Sequence, residues 1–390
     1  MNNNNILFRL WRDPLWRSIF FQVLLIVTVI ATGAWIINNT LTNLEHRGIS
    51  TGFGFLSESA GFGIIQSLVA YDESHTFGRT FVVGLVNTLL VSFLGVILAT
   101  IIGFMVGIAR LSANWLLAKL ASVYIEVFRN IPLLLQIFFW YFAVLGVLPH
   151  PRQSLSIGDS VFLSVRGIYM PEPMIEHEGT VLLSILAGIV CAAVVSYFNK
   201  KRRLETGQGL PFSKVISLLV LLGLPAIVIQ LTGATLSWDM PVLQGFNFKG
   251  GLVIIPELAA LLFALAIYTA AFIAEVVRAG IESVSKGQKE AAAALGLRPG
   301  RVLRLVVIPQ AMRVIIPPLT NQYLNLIKNS SLATAIGYPD LVNVFAGTTL
   351  NQTGQAVEVI AMTMAVYLLI SLTVSVLMNA YNRYTALVER

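Results

Sequence analysis

Lys289-Glu290-Ala291-Ala292-Ala293-Ala294-Leu295-Gly296, followed after nine residues by Val306-Val307-Ile308-Pro309, sits in a polar loop between two long apolar runs, residues 252–277 and 305–327. Residues 290–295 are strong helix formers, and Gly296 followed by Pro299 is a helix stop. Glu290 in the first turn suits the helix dipole. Four consecutive alanines make a smooth surface that another backbone can approach closely. Arg298, Arg301 and Arg304 recur every three residues and share one side, where lipid phosphates or an acidic protein rim would meet them. A short alanine-rich helix in such a loop calls for a soluble partner.

The rest of the chain explains why the partner must come to the membrane. Only 12% of the 390 residues are charged, about half the share of an ordinary soluble domain, and the mean hydropathy is +0.78. Eight runs approach the ~20 apolar residues a bilayer requires: 19–37, 81–108, 122–148, 180–198, 215–231, 252–277, 305–327 and 357–381. The sequence therefore predicts an all-α membrane protein of about eight transmembrane helices, the seventh interrupted by Pro309, Pro317 and Pro318. Arg9, Arg12 and Arg17 precede a first run too long for a signal peptide and without a clean cleavage site, so that run is expected to be an uncleaved span.

The net charge of +7 resembles a nucleic-acid signal, but the cations sit in short loops between apolar runs. With the N-terminus in the cytoplasm, 19 of the 26 Lys and Arg fall on the cytoplasmic side and five outside, leaving Arg129 and Lys328 within or at the edge of spans. That asymmetry predicts both termini inside and puts the Glu290 loop on the side that holds ATP. It also removes the reason to expect nucleic acid. Cys191 is alone in an apolar run, which excludes a disulfide framework and a cysteine–histidine metal cluster.

The spacing Glu290-Ala291-Ala292, Gly296, then Val306-x-Ile308-Pro309 resembles the EAA loop of permease subunits of bacterial ABC importers. Further matching stretches are Gly84-Leu85-Val86-Asn87-Thr88-Leu89, Glu126 to Gln136, Glu275 to Ile281, Pro309 to Arg313, Pro317 to Gln322 and Leu326 to Leu332. Together they resemble the polar amino acid uptake branch, and the long form resembles a permease of a general L-amino acid importer. The resemblance implies a type I permease core of five spans, in residues 81–149 and 252–390. Residues 1–80 would add an N-terminal helix and a long periplasmic stretch, and 150–251 an insertion with two spans. It implies an ATPase dimer docking at Lys289, Glu290, Ala291, Ala292, Gly296 and Pro309, with ATP and magnesium on that partner and no cofactor on this chain. A second permease subunit, a different chain by this reading, a periplasmic substrate-binding protein, an amino-acid substrate and membrane lipid complete the expected set. The location implied is the bacterial cytoplasmic, or inner, membrane.

Charged groups at bilayer depth are costly and so become candidates for a pathway. Glu126 and Arg129 are one helical step apart, which fits either an intrahelical pair or a substrate-carboxylate site. Asn321, Asn325 and Lys328 fall within about 60° of one another around a helix, next to Pro317-Pro318. That polar stripe fits a translocation path or polar helix packing; Ser330 and Ser331 fit the path, and equally a cap or packing. The family pattern usually has an acidic residue where Asn329 stands, so basic substrates need not be preferred. No phosphate-binding G-x-x-x-x-G-K-[ST] loop, zinc-protease motif or nucleophile elbow occurs. The competing readings are an ion-gradient-driven secondary transporter, which predicts paired broken helices, and a membrane scaffold or sensor.

Overall fold

Pro132 decides the first departure from a row of straight helices. The computed structural model describes residues 13–46, 51–158, 160–176, 178–233 and 235–385. The first three apolar runs give α1 (Pro14–His46), α2 (Phe77–Arg110), and a pair in which α3 (Trp115–Asn130) meets α4 (Leu133–Phe138, continued by a wide turn to Leu145) at 105°. The single straight span expected for 122–148 is thus broken. A residue before proline avoids the α region, and Ile131 is extended at φ −95°, ψ 126°. The carbonyls of Phe128 and Ile131 at the break accept hydrogen bonds from Gln136 Nε2 at 3.0 and 2.9 Å, so the bend leaves them satisfied.

The later runs give α5 (Glu178–Thr206), α6 (Ser213–Thr232), α7 (Pro256–Glu282), the loop helix α8 (Lys286–Ala294), the short α9 (Pro299–Val302), α10 (Ile308–Asn329), the short α11 (Leu350–Thr353) and α12 (Ala356–Thr385). Among the described residues seven helices are long and apolar enough to cross a membrane, or eight if α3–α4 counts as one span. The seventh run carries a second correction: α10 passes Pro317 and Pro318 without interruption. Proline inside a helix is tolerated in membrane-spanning segments. Pro309 lies in the first turn, where its missing N–H is not needed. The irregular backbone lies at either end instead, a π turn over Leu303–Val307 and a 3-10 stretch over Ser330–Ile336.

Small residues set the helix packing. A Cβ added at Gly103 of α2 would lie 2.6 Å from Cβ of Ile273 on α7, and one at Gly107 would lie 2.7 Å from the Ala274 carbonyl. This G-x-x-x-G pair lets the two backbones approach closely. Phe55, Ala60 and Phe77 form an outer cluster with Leu341, Phe345 and Val359, fastening the irregular stretch before α2 to the core. α1 and α6, by contrast, bury no residue of their apolar windows.

Short strands, which the apolar runs did not anticipate, flank the α5–α6 hairpin. One antiparallel sheet orders β1 (Leu155–Ile157), β2 (Val161–Ser164), β3 (Gly167–Met170) and β8 (Leu252–Ile254). β8 takes the start of the sixth run, so α7 begins only at Pro256. Two ribbons pair β4 (Glu172–Ile175) with β5 (Leu236–Asp239), and β6 (Val242–Gln244) with β7 (Asn247–Lys249). Phe248 stacks on Phe162 at 4.5 Å between ring centroids. The chain divides into two compact units, one of residues 138–260 and one of the remainder.

Candidate functional site

α8 starts four residues earlier than expected and ends where expected. Gly296 takes φ +76°, its N–H reaches the Ala293 carbonyl at 2.9 Å, and Leu297 N–H reaches that of Ala292 at 3.3 Å. These are the two bonds of a Schellman close, which requires a left-handed residue and so favours glycine. Ala292 is buried, whereas Glu290, Ala291, Gly296 and Pro309 are exposed and Lys289 is half-buried. Leu295, at the tip, is 81% exposed. Beside it Ile281, Lys289, Ala293, Leu297, Pro299 and Val302 line a groove of about 400 Å³. Arg298, Arg301 and Arg304 are all exposed.

A charged clamp stands behind this helix. Glu275 on α7 meets Arg278 at 2.5 Å and Arg110 of α2 at 3.5 Å, and Arg278 also pairs with Glu282. With the side chains of Arg110, Glu275 and Arg278 about one-quarter exposed and that of Glu282 about half, these ions tie the end of α2 to α7 where the loop carrying α8 departs.

The candidate pathway residues occupy three settings. Glu126 and Arg129 are exposed and do not form an ion pair with each other: Glu126 accepts from Ser122 Oγ at 3.2 Å, and Arg129 lies 5.2 Å from the Phe272 ring centroid. Asn321, Asn325 and Lys328 all lie exposed along α10. Lys328 and Ser331 line a cavity of about 470 Å³ with Val342, Thr363, Met364, Tyr367, Leu368 and Ser371. Asn329 is half-buried, and Ser330 is fully buried with its hydroxyl donating to the Ile327 carbonyl at 2.7 Å. The cavity therefore joins two of the eight candidates.

Sequence reasoning passed over Asp340. It lies between the spans, 1% exposed, and its Oδ1 accepts the Asn343 N–H at 2.8 Å while Tyr367 of the cavity wall reaches Oδ2 at 3.4 Å. Burial pushes its carboxyl up to about 7, against the opposing effect of those donors. Tyr338, also buried, donates to the Asn87 carbonyl at 3.2 Å, and Asn87 Nδ2 donates to Gln66 and Pro339 carbonyls at 2.9 Å each. Thr88 Oγ1 accepts from Leu341 N–H at 3.0 Å. The signal was present in Tyr338-Pro339-Asp340, a turn sequence following a span, and in Asn87-Thr88 within an apolar helix.

Membrane-spanning helices with a largely apolar cavity that Lys328 and Ser331 reach, and a projecting loop helix, define a membrane transport component. The chain belongs to the family of binding-protein-dependent transport system inner membrane components, whose signature matches residues 92–386. It is 57% identical over 97% of its length to YhdX of Escherichia coli, which carries the name of an amino-acid ABC transporter permease, covering 96% of that protein. The general L-amino acid transport system permease protein AapQ of Rhizobium johnstonii is 51% identical, over 97% of this chain and 94% of that one. The glutamate/glutamine/aspartate/asparagine transport system permease protein BztB of Rhodobacter capsulatus is 42% identical, over 97% and 96%.

Proposed function

We propose that this chain is the permease subunit of an ATP-driven importer that moves L-amino acids across the bacterial inner membrane, with both termini in the cytoplasm. The observation that carries this reading is α8: an exposed, sharply closed helix with Glu290 and Leu295 outward, beside an apolar groove, in a loop rich in cations. An ATPase dimer docks there. ATP and magnesium belong to that partner, and this chain transmits work without hydrolysing nucleotide. Movement of α8 displaces α7 and α10, which carry the charged clamp and the polar stripe, and so exchanges inward- and outward-facing states. An ATPase dimer offers two docking clefts and this chain one loop helix, which calls for a second permease subunit, identical or different. A periplasmic binding protein delivers substrate. Residues 81–149 and 252–390 act as the translocating core, with 1–80 and 150–251 as additions.

The names of the relatives support amino acids as the substrate class. Lys328 supplies a cation for the carboxylate every amino acid carries, and Ser331 an adjacent hydroxyl; Arg129 with Glu126, and Asn321, Asn325 and Asn329, extend the path. The test is reconstitution with the ATPase and binding protein, followed by amino-acid uptake with and without ATP. Uptake that persists without ATP and follows an ion gradient overturns the proposal. Glu290→Lys is expected to cut ATP-dependent uptake about tenfold, the equivalent of ~1.4 kcal/mol of docking energy, with insertion intact. Co-purification with the ATPase at wild-type yield would remove Glu290 from the docking surface. Unchanged uptake for Lys328→Ala or Arg129→Ala would assign those residues to packing.

A further inference from the structure

The tip of the α5–α6 hairpin combines three features that neither the coupling loop nor the pathway uses. Residues 199–214 hold five cations, Lys200, Lys201, Arg202, Arg203 and Lys214, against one carboxylate, Glu205. All five cations are exposed. One turn earlier, Tyr197 and Phe198 are exposed with rings 5.8 Å apart. Aromatic rings followed by cations are the pattern of a helix leaving hydrocarbon for the headgroup layer.

The third feature is backbone strain. Among the described residues Phe212 is the one non-glycine with positive φ, at φ 56°, ψ 20°. An aromatic residue is disfavoured there, and such outliers cluster at sites of use. Its ring is not fixed by packing, since Phe212 is 78% exposed. Leu210 N–H donates to Asn199 Oδ1 at 2.7 Å, folding the loop back against the helix end.

We infer that this hairpin tip is a binding site for anionic phospholipid: Phe212 inserts among the acyl chains, and Lys200, Lys201, Arg202, Arg203 and Lys214 hold the phosphate. Lipid is the occupant because both helices that carry the tip are long and apolar enough to cross a bilayer. No residue of the α6 apolar window is buried, and α6 spans about 30 Å, the thickness of the hydrocarbon layer. The site does not depend on the transport reading.

The full chain, purified in detergent, would be titrated with phosphatidylglycerol, phosphatidylcholine or inorganic phosphate while thermal unfolding and lipid retention are followed. Phosphatidylglycerol alone is expected to raise the midpoint, with an effect that fades as salt screens the charges. Each cation removed in the series Lys200→Gln, Lys201→Gln, Arg202→Gln, Arg203→Gln should weaken retention roughly fivefold. Arg166→Gln with Lys249→Gln, cations of the β-strand segments, should leave it unchanged. Equal loss in that control, equal competition by inorganic phosphate, or full retention in the quadruple variant overturns the inference. So does a quadruple variant that keeps lipid but loses a co-purifying subunit, which would make the tip a protein interface. Phe212→Gly separates function from tolerated strain: retention must fall, and a variant that only gains stability overturns the role given to the ring.

Discussion

α6 and α7 are both apolar enough to span a membrane, yet they occupy opposite environments. In the most apolar window of α7, 61% of residues are buried; in that of α6, none. Side-chain size separates them. α7 buries Ala260, Ala264, Ala270, Ala271 and Ala274 completely, and a Cβ added at its Gly280 would lie 2.3 Å from Cγ1 of Ile315 on α10. α6 presents Leu218, Leu219, Leu222, Ile227 and Leu231 outward. In lipid, apolarity does not draw helices together, because the tails are as apolar as leucine; close backbone approach does. Hydropathy thus tells which segments enter the membrane, and residue size tells which of them form the core.

The strongest way to break this comparison is to add bulk to both kinds of helix. Gly103→Val places methyl groups where even a Cβ lies 2.6 Å from Ile273. Overpacking of this kind is expected to cost about 3 kcal/mol and to lower the detergent melting temperature sharply. Gly223→Val on α6 meets nothing within 4 Å and should stay within about 0.5 kcal/mol of the parent. Comparable losses at the two positions would mean that the face of α6 that carries Gly223, away from its packing on α5, is covered as well.

A second difference is polar. The packed core carries buried pins, Asn87, Thr88, Tyr338 and Asp340, whereas α6 buries none. Because burial raises the folded-state pKa of Asp340 from 3.8 to about 7, the folded state keeps a proton that the unfolded chain has lost over that interval. Stability should therefore fall as pH rises from about 4 to about 7, and level off above. Between pH 5 and pH 8 the loss is roughly 2–3 kcal/mol, at 1.36 kcal/mol per unit. Asp340→Asn should flatten this part of the melting-temperature profile while retaining the buried contacts. A profile unchanged by the substitution would place the titration elsewhere.

How far the sequence carried this picture follows from the same physics. The number of spans was legible because each is a long apolar run, and the close of α8 was legible because only a short list of residues takes a left-handed backbone. The bend at Ile131-Pro132 was not separated from a straight span, since the apolar run continues through it. Pro317-Pro318, read as an interruption, lies in a continuous helix, since membrane-spanning helices tolerate proline inside them. The strands around the α5–α6 hairpin are three or four residues each, too short for alternation to declare itself. Of the pathway candidates, Lys328 and Ser331 meet at one cavity because they lie near the end of α10. Asp340 escaped notice because its importance comes from burial by α2 and α12, which are distant in sequence.

The smallest expected effect tests the lipid side of the comparison most directly. Leu219, in the middle of α6, is 65% exposed, so Leu219→Ala should exchange contacts with lipid tails for contacts with lipid tails. A buried leucine truncated to alanine loses 2–5 kcal/mol because a cavity remains. At Leu219 lipid fills the space, and the change should stay below about 0.5 kcal/mol. Measured on the isolated chain, that value would mark α6 as solvated by the bilayer. Measured on the reconstituted assembly, the same substitution separates two surroundings. An effect near zero leaves lipid on this face. A loss above about 1 kcal/mol only in the assembly would mean that a neighbouring subunit covers α6, and that this helix becomes part of a core once its partner arrives.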